Sequence, residues 1–313
     1  MNIVFMGTPE FSVPSLKELD EKFDIKLVVT QPDRKRGRGK KVIHSAVKKE
    51  ALKRNIRVIT PSKIREDKEA IETIKEINPD FIVVVAYGQI LSEEILNIPK
   101  YGSINLHASL LPKLRGAAPL NWALIEGHKE TGNTTMYMEK GLDTGDMLLR
   151  DVLEIDDSMN VESIHDSLSK SGGSLLIETL VKIKEGSIKR KKQDDSKATY
   201  AKMIDKDLQE INWNKDSNDI RNLIRGLSPY PGSFSFLGED RVKILASEIG
   251  TDNENNKYEP GEIIKVSKEG ILVKTKNGSL LITKVQFPNK KPMMVSDYLN
   301  GNEILEKKFE GRG

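Results

Sequence analysis

Phe81-Ile82-Val83-Val84-Val85 runs five residues without a polar side chain, and four of them are β-branched. A half-buried strand would alternate apolar and polar positions. An unbroken run of this length fits a strand covered on both faces, as in a parallel sheet with helices above and below. Outward from it, strand-like and helix-like segments alternate. Upstream, 70–77 reads as a helix, 56–60 as a short strand, 46–54 as a helix and 25–30 as a strand. Further back, 11–23 sets Val13, Leu16 and Leu19 at helical spacing, with Pro14 tolerable in the first turn. Residues 2–6 form a short apolar run that stops at Gly7-Thr8-Pro9. Downstream, Ser103–His107 is one more strand candidate. The alternation predicts a doubly wound, Rossmann-like α/β domain.

After residue 130 the pattern changes. Segments 134–138 and 147–155 flank Gly141-Leu142-Asp143-Thr144-Gly145-Asp146, which reads as an antiparallel excursion around a turn-rich loop. Residues 161–184 are predicted as one long helix ended by Gly186, and 187–199, polar and aperiodic, read as a linker. A short helix at 217–226 is followed by five β-type segments, at 233–237, 242–248, 261–266, 270–274 and 279–287. Short strands at this spacing predict a smaller OB-like β-barrel. The expected organisation is an α/β domain over 1–187, a linker over 188–205 and the OB-like domain over 206–313. A length of 313 residues agrees with about two domains.

The chain has no cysteine, which excludes disulfides, thiolate metal sites, cysteine nucleophiles and iron–sulfur clusters. The four histidines, at 44, 107, 128 and 165, show no zinc-binding spacing, so no catalytic metal is expected. The N-terminal apolar stretch is too short for a signal peptide and lacks a basic flank. The longest apolar run, 81–86, is far below the ~18 residues of a membrane span. A soluble cytoplasmic protein is expected, without a membrane partner. The formal net charge is +3, but it is unevenly placed. Between Asp33 and Lys49 stand eight Lys and Arg against one acid, a local charge of +7, so the rest of the chain sums to −4.

Gly7-Thr8-Pro9 follows the first strand but lacks the Gly-x-Gly-x-x-Gly spacing, which argues against a dinucleotide site and for a tight strand-to-helix turn. It still lies at the carboxyl end of a strand, where open α/β sheets put their ligands. The run Ser103-Ile104-Asn105-Leu106-His107 is more informative. On a strand, Ile104 and Leu106 share one face and Asn105 and His107 the other. The arrangement sets an amide, able to donate to a developing oxyanion, beside an imidazole, able to carry a proton near neutral pH. Asp143 could supply a carboxylate. The plainer alternative is a satisfied core histidine with Asp143 as a turn former; the loop 109–116 directly after His107 favours the functional one.

Several blocks then resemble the formyltetrahydrofolate-dependent formyltransferases. They are Asn105-Leu106-His107, Ser109-Leu110-Leu111-Pro112, Arg115-Gly116-Ala117-Ala118-Pro119 and Gly141-Leu142-Asp143-Thr144-Gly145-Asp146. Phe5-Met6-Gly7-Thr8-Pro9-Glu10-Phe11, Thr30-Gln31-Pro32-Asp33, Val84-Val85-Ala86-Tyr87-Gly88 and Ser228-Pro229-Tyr230-Pro231 extend the likeness in the right order over nearly the whole chain. The resemblance implies that the N-terminal domain is catalytic, with Asn105, His107 and Asp143 as its trio. It implies folate contacts from Ser109, Leu110, Leu111 and Pro112, and a pterin pocket lined by backbone near Tyr87, Gly88 and Ile90. The implied co-substrate is 10-formyltetrahydrofolate, the implied acceptor the α-amine of methionine on initiator tRNA, and the state a monomer. Phe11 would wall the methionine pocket, though a helix-core aromatic fits it equally well. The basic loop, through Arg34, Arg36, Arg38, Lys40 and Lys41, would enter the acceptor end of the tRNA, with Arg38 the chief contact. Side chains cannot read the deep groove of continuous A-form RNA, whereas an unpaired end opens it. Lys189, Arg190, Lys191 and Lys192, with Lys284, Lys290 and Lys291, are further candidates for RNA contact. A formyltransferase acting on a small amine, a purine precursor or an amino-sugar nucleotide, would use the same trio but needs neither the basic loop nor a barrel. A binding module without turnover would not need the trio.

Overall fold

In the computed structural model, which describes residues 1–36, 41–251 and 257–311, Phe81–Val85 is a strand buried at every position. The strands of the N-terminal part are β1 (Asn2–Gly7), β2 (Asp24–Val29), β3 (Arg34–Arg36), β4 (Lys41–Ile43), β5 (Val58–Ile59), β6 (Phe81–Val85), β7 (Ser103–His107), β8 (Arg115–Gly116), β9 (Glu130–Tyr137) and β10 (Met147–Glu154). The helices are α1 (Val13–Lys22), α2 (Ala46–Lys53), α3 (Lys68–Ile77), α4 (Glu93–Leu96), α5 (Pro119–Ile125) and α6 (Val161–Lys184). Seven strands form one sheet in the order β10-β9-β7-β6-β1-β2-β5. The five from β7 to β5 are parallel, and β9 runs antiparallel to β7. The chain winds outward from β1 to β2 and β5, then returns to β6 and β7 on the other side. This reversal opens a crevice at the carboxyl ends of β1 and β6, where such folds bind ligands.

Both faces are covered. Val4, Met6, Leu27, Val29, Ile82 and Val84 pack with Ile71 and Ile74 of α3 and with Tyr87 and Ile95. On the other face a Cβ at Gly172 of α6 would lie 2.5 Å from the Leu106 side chain, so the glycine lets the helix approach β7. Helix ends are closed as their residues predict: Ser45, Asp67 and Ser92 accept hydrogen bonds from the first turns of α2, α3 and α4.

The C-terminal part continues with β11 (Tyr200–Ala201), α7 (Ser217–Leu227), β12 (Ser233–Leu237), β13 (Asp240–Ile249), β14 (Ile263–Ser267), β15 (Gly270–Lys274), β16 (Ser279–Gln286), β17 (Met293–Met294), α8 (Val295–Tyr298) and β18 (Phe309–Glu310). Six of these strands form a curled sheet in the order β14-β15-β16-β13-β12-β18, with β17 on β16. Its edges meet: Phe309 N donates to Gly261 O at 2.8 Å and Ile263 N to Lys307 O at 2.7 Å. The enclosed core holds Trp213, Ile220, Ile224, Val242, Ile244, Val273, Ile282 and Phe309. It is an OB-like β domain, as the strand spacing predicts. The closing strand β18 is two residues long and escapes sequence patterning.

Two compact units result: 1–116, 131–154 and 165–200, and 117–130, 155–164 and 201–313. Residues 117–130 join the second unit because α5 packs on α7, with Asn121 Nδ2 donating to Gly226 O at 2.8 Å. Residues 187–199, read as a linker, join the first. Lys191 bridges to Met147, and Gln193 is only 6% exposed. Among the described residues no helix is long and apolar enough to cross a membrane.

Candidate active site

Strand β7 carries Asn105 and His107 to the carboxyl edge of the sheet, both largely buried. Ile104 and Leu106 point the other way into apolar packing, as the alternation predicts. The Asn105 amide takes no protein hydrogen-bond partner among the described residues. His107 Nε2 lies 2.9 Å from Leu114 O. A carbonyl only accepts, so this nitrogen carries hydrogen and Nδ1 faces the carboxylate of Asp143, 3.6 Å from its Oδ2. That separation exceeds a hydrogen bond but suits an ion pair once the ring is protonated.

Asp143 is itself held. Its Oδ2 accepts from Gly116 N at 2.9 Å, and its backbone is in the left-handed region, φ 53°. Two residues on, a Cβ at Gly145 would stand 1.9 Å from Tyr137 O, so only glycine fits there. The loop after β7 is stitched across the strands. Ser109 Oγ donates to Lys113 O at 2.7 Å, and Thr134 Oγ1 donates to Ser109 O at 2.6 Å. Leu114 N donates to Thr199 Oγ1 and Arg115 N to Thr199 O, both at 2.9 Å.

The neighbouring turn after β6 is built from the crevice side. Thr8 Oγ1 donates to Tyr87 O at 2.8 Å, and Gln31 Nε2 donates to Gly88 O at 3.0 Å. Gly88 has φ 84°, which a residue with a Cβ rarely adopts. The Tyr87 ring lies in the core, where burial pushes its hydroxyl's pKa up; only its backbone can border a ligand. Ile90 is well exposed.

Not every candidate reaches the site with its side chain. Leu111 is buried against Met136 and Met147. Phe11 is 6% exposed, its ring edge-on to His165 at 5.4 Å, which favours a core aromatic over a pocket wall. Of the basic loop, β3 and β4 pair as a hairpin, Arg34 opposite Ile43 and Arg36 opposite Lys41. Arg38 and Lys40 lie outside the described residues. Where the hairpin leads into α2, Asp33 Oδ2 accepts from Lys48 Nζ at 2.7 Å and contacts His44 Nδ1 at 3.0 Å. The Lys48 hydrogen bond, seconded by His44 against some desolvation, holds Asp33 below the usual carboxylate range. Arg190 stacks on the Tyr137 ring at 4.0 Å, and Lys290 lies over Tyr298 at 4.8 Å. Among the described residues no group of three or more His, Asp or Glu could hold a metal ion.

Sequence patterning missed Gln193, whose Nε2 donates to both Asp143 O and Gly145 O at 2.8 Å. No local motif marks it, because its partners lie about 50 residues upstream.

Residues 1–180 match the family model described as formyl transferase, and 203–303 match that described as formyl transferase, C-terminal domain. The methionyl-tRNA formyltransferase of Clostridium tetani is 56% identical over 97% of both chains. That of Clostridium botulinum is 54% identical over the same shares. Among solved structures, the sugar 3N-formyl transferase WlaRD, crystallised in the presence of dTDP and 5-N-formyl-THF, shares the fold. It has a TM-score of 0.67 at 22% identity, over 93% of this chain and 99% of that one.

Proposed function

Because the chain belongs to the formyl transferase family, we propose that it transfers the formyl group of 10-formyltetrahydrofolate to the α-amine of methionine carried by initiator tRNA, a step of translation initiation. One observation carries this reading: the likeness, over 97% of both lengths, to proteins that bear this activity by name. The partners are therefore the charged tRNA and the folate; the working state is a cytoplasmic monomer.

The site supports a mechanism. 10-formyltetrahydrofolate supplies an activated formyl carbon at N10. The amine attacks it and charge develops on the formyl oxygen, and the open Asn105 amide is suited to donate to that oxygen. A donor of this kind contributes about 2.7–4 kcal/mol in acyl transfer. The Nε2 hydrogen of His107 is committed to Leu114 O. Its contribution is thus made from Nδ1, which accepts a proton from the attacking nitrogen or donates one when protonated, with the Asp143 carboxylate beside it to stabilise the imidazolium. Proton loss from the amine and proton gain at N10 balance through this pair. No covalent intermediate is needed.

The crevice residues also fit a folate. Backbone at Gly88 and Ile90 and the loop from Ser109 through Leu110 and Pro112 border the same edge, while Leu111 contributes packing from behind. We assign tRNA contact to the basic loop, through Arg34, Arg36, Arg38, Lys40 and Lys41, and to the OB-like unit, and assign catalysis to the first unit, which takes in the expected linker as far as residue 200 because Gln193 packs against the Asp143 loop. The test is an assay with 10-formyltetrahydrofolate and charged initiator tRNA, run beside uncharged tRNA and small amines, including an amino-sugar nucleotide. Formylation confined to the charged tRNA is expected. Transfer to a small amine alone overturns the reading.

A further inference from the structure

Arg115 is 2% exposed, yet it carries a full charge into the interior. Its Nε and Nη2 donate to Gln193 Oε1 at 3.0 and 2.9 Å, and Nη2 also donates to Asp195 Oδ1 at 2.8 Å. The guanidinium has no acceptor, so it fixes the Gln193 amide one way round, with Oε1 toward Arg115 and Nε2 toward the carbonyls of Asp143 and Gly145. A reversed amide would set N–H against N–H and oxygen against two oxygens.

The contacts close a circuit. Arg115 orients Gln193, Gln193 holds the backbone of Asp143, and the Asp143 carboxylate accepts from Gly116, the residue bonded to Arg115. On its other side Arg115 follows Leu114, whose carbonyl takes the His107 Nε2 hydrogen. Both His107 and Asp143 therefore rest on the three residues Leu114, Arg115 and Gly116. Leu114, Gly116 and Asp143 all have positive φ, at 58°, 118° and 53°. Non-glycine residues hold such conformations only where their surroundings over-determine them. The surroundings here are a buried charged donor and a bifurcated amide, charge-assisted and enclosed.

We propose that Gln193, oriented by Arg115, is a positioning residue of the reaction: it sets the Asp143 carboxylate against His107. This rests on the formyl-transfer reading above. Gln193 touches neither substrate in this assignment and acts only through Asp143.

The isosteric Gln193→Glu keeps the acceptor for Arg115 and removes both donations, and Gln193→Met removes all polarity without adding charge. The expected result is a 10- to 100-fold slower turnover in formylation of charged initiator tRNA, with KM for both substrates within twofold. The same substitutions in an Asp143→Ala background should change turnover less than twofold, since the group they act through is gone. A crystal structure of Gln193→Met should show Asp143 Oδ2 displaced from His107 Nδ1. If one variant does not fold by near-ultraviolet circular dichroism, the other carries the test. Unchanged turnover in a folded variant, an equal fold-loss with and without Asp143, or an undisturbed Asp143–His107 separation overturns the proposal. The separation is read without any assay, and wild-type enzyme failing to formylate the charged tRNA would instead overturn the formyl-transfer reading.

Discussion

At His107 a backbone carbonyl decides which ring nitrogen faces the Asp143 carboxylate, and at Asp33 the Lys48 ammonium, with the His44 ring beside it, lowers the carboxylate's pKa. The sign at Asp33 follows from its depressed pKa. The folded state prefers the ionised form, so the contribution to stability is present above the ordinary carboxylate value of about 3.9 and fades as pH falls through the depressed one. Asp33→Asn should therefore destabilise the protein at pH 7 by about 1 kcal/mol, allowing for the pair's partial exposure. The difference from wild type should narrow in chemical unfolding as the pH is lowered below the ordinary carboxylate range. Gly145 makes a steric prediction at the same scale. An added methyl meets Tyr137 O at 1.9 Å, a backbone atom that cannot step aside. Gly145→Ala should cost about 1–3 kcal/mol in urea unfolding and lower kcat with it, because Asp143 lies two residues away on the same turn.

At the scale of elements, the β3–β4 hairpin follows directly on Asp33, which is tethered to α2 through Lys48. Arg38→Ala should weaken formylation of charged tRNA while leaving folate binding unchanged by fluorescence titration; equal loss of both would make the basic loop a structural part. Strand β7 was legible with both its ends, since Ile104 and Leu106 alternate with two polar residues and flanking turns bound the run. The turn after it was legible as a motif, but not which side chains it buries: Leu111 enters the apolar cluster with Met136 and Met147 because β9 lies alongside, a tertiary fact. Gln193 was invisible for the same reason. In a polar, aperiodic segment its role is set by Arg115, 78 positions earlier, and by a loop 50 positions earlier. Sequence periodicity reports which face of an element is buried; it does not report what a single glutamine meets.

Over the whole molecule, the net charge of +3 conceals a run of +7 on a chain otherwise at −4. A uniformly basic protein would bind RNA along any face. This distribution concentrates cations in one short segment, residues 33–49, and if about four meet phosphates, the logarithm of tRNA affinity should fall with log salt at a slope of roughly −3 to −4. Arg38→Ala should flatten that slope by about one, while a slope near zero would remove the loop from the interface. The proposed activity stands or falls on chemistry at β7, and turnover in wild type, Asn105→Ala and His107→Ala reaches it without intermediaries. With 10-formyltetrahydrofolate and charged initiator tRNA, the wild type should transfer formyl. Each folded variant should lose about 10²–10³ in kcat while keeping its folate affinity. Near wild-type kcat in both variants would contradict the assignment.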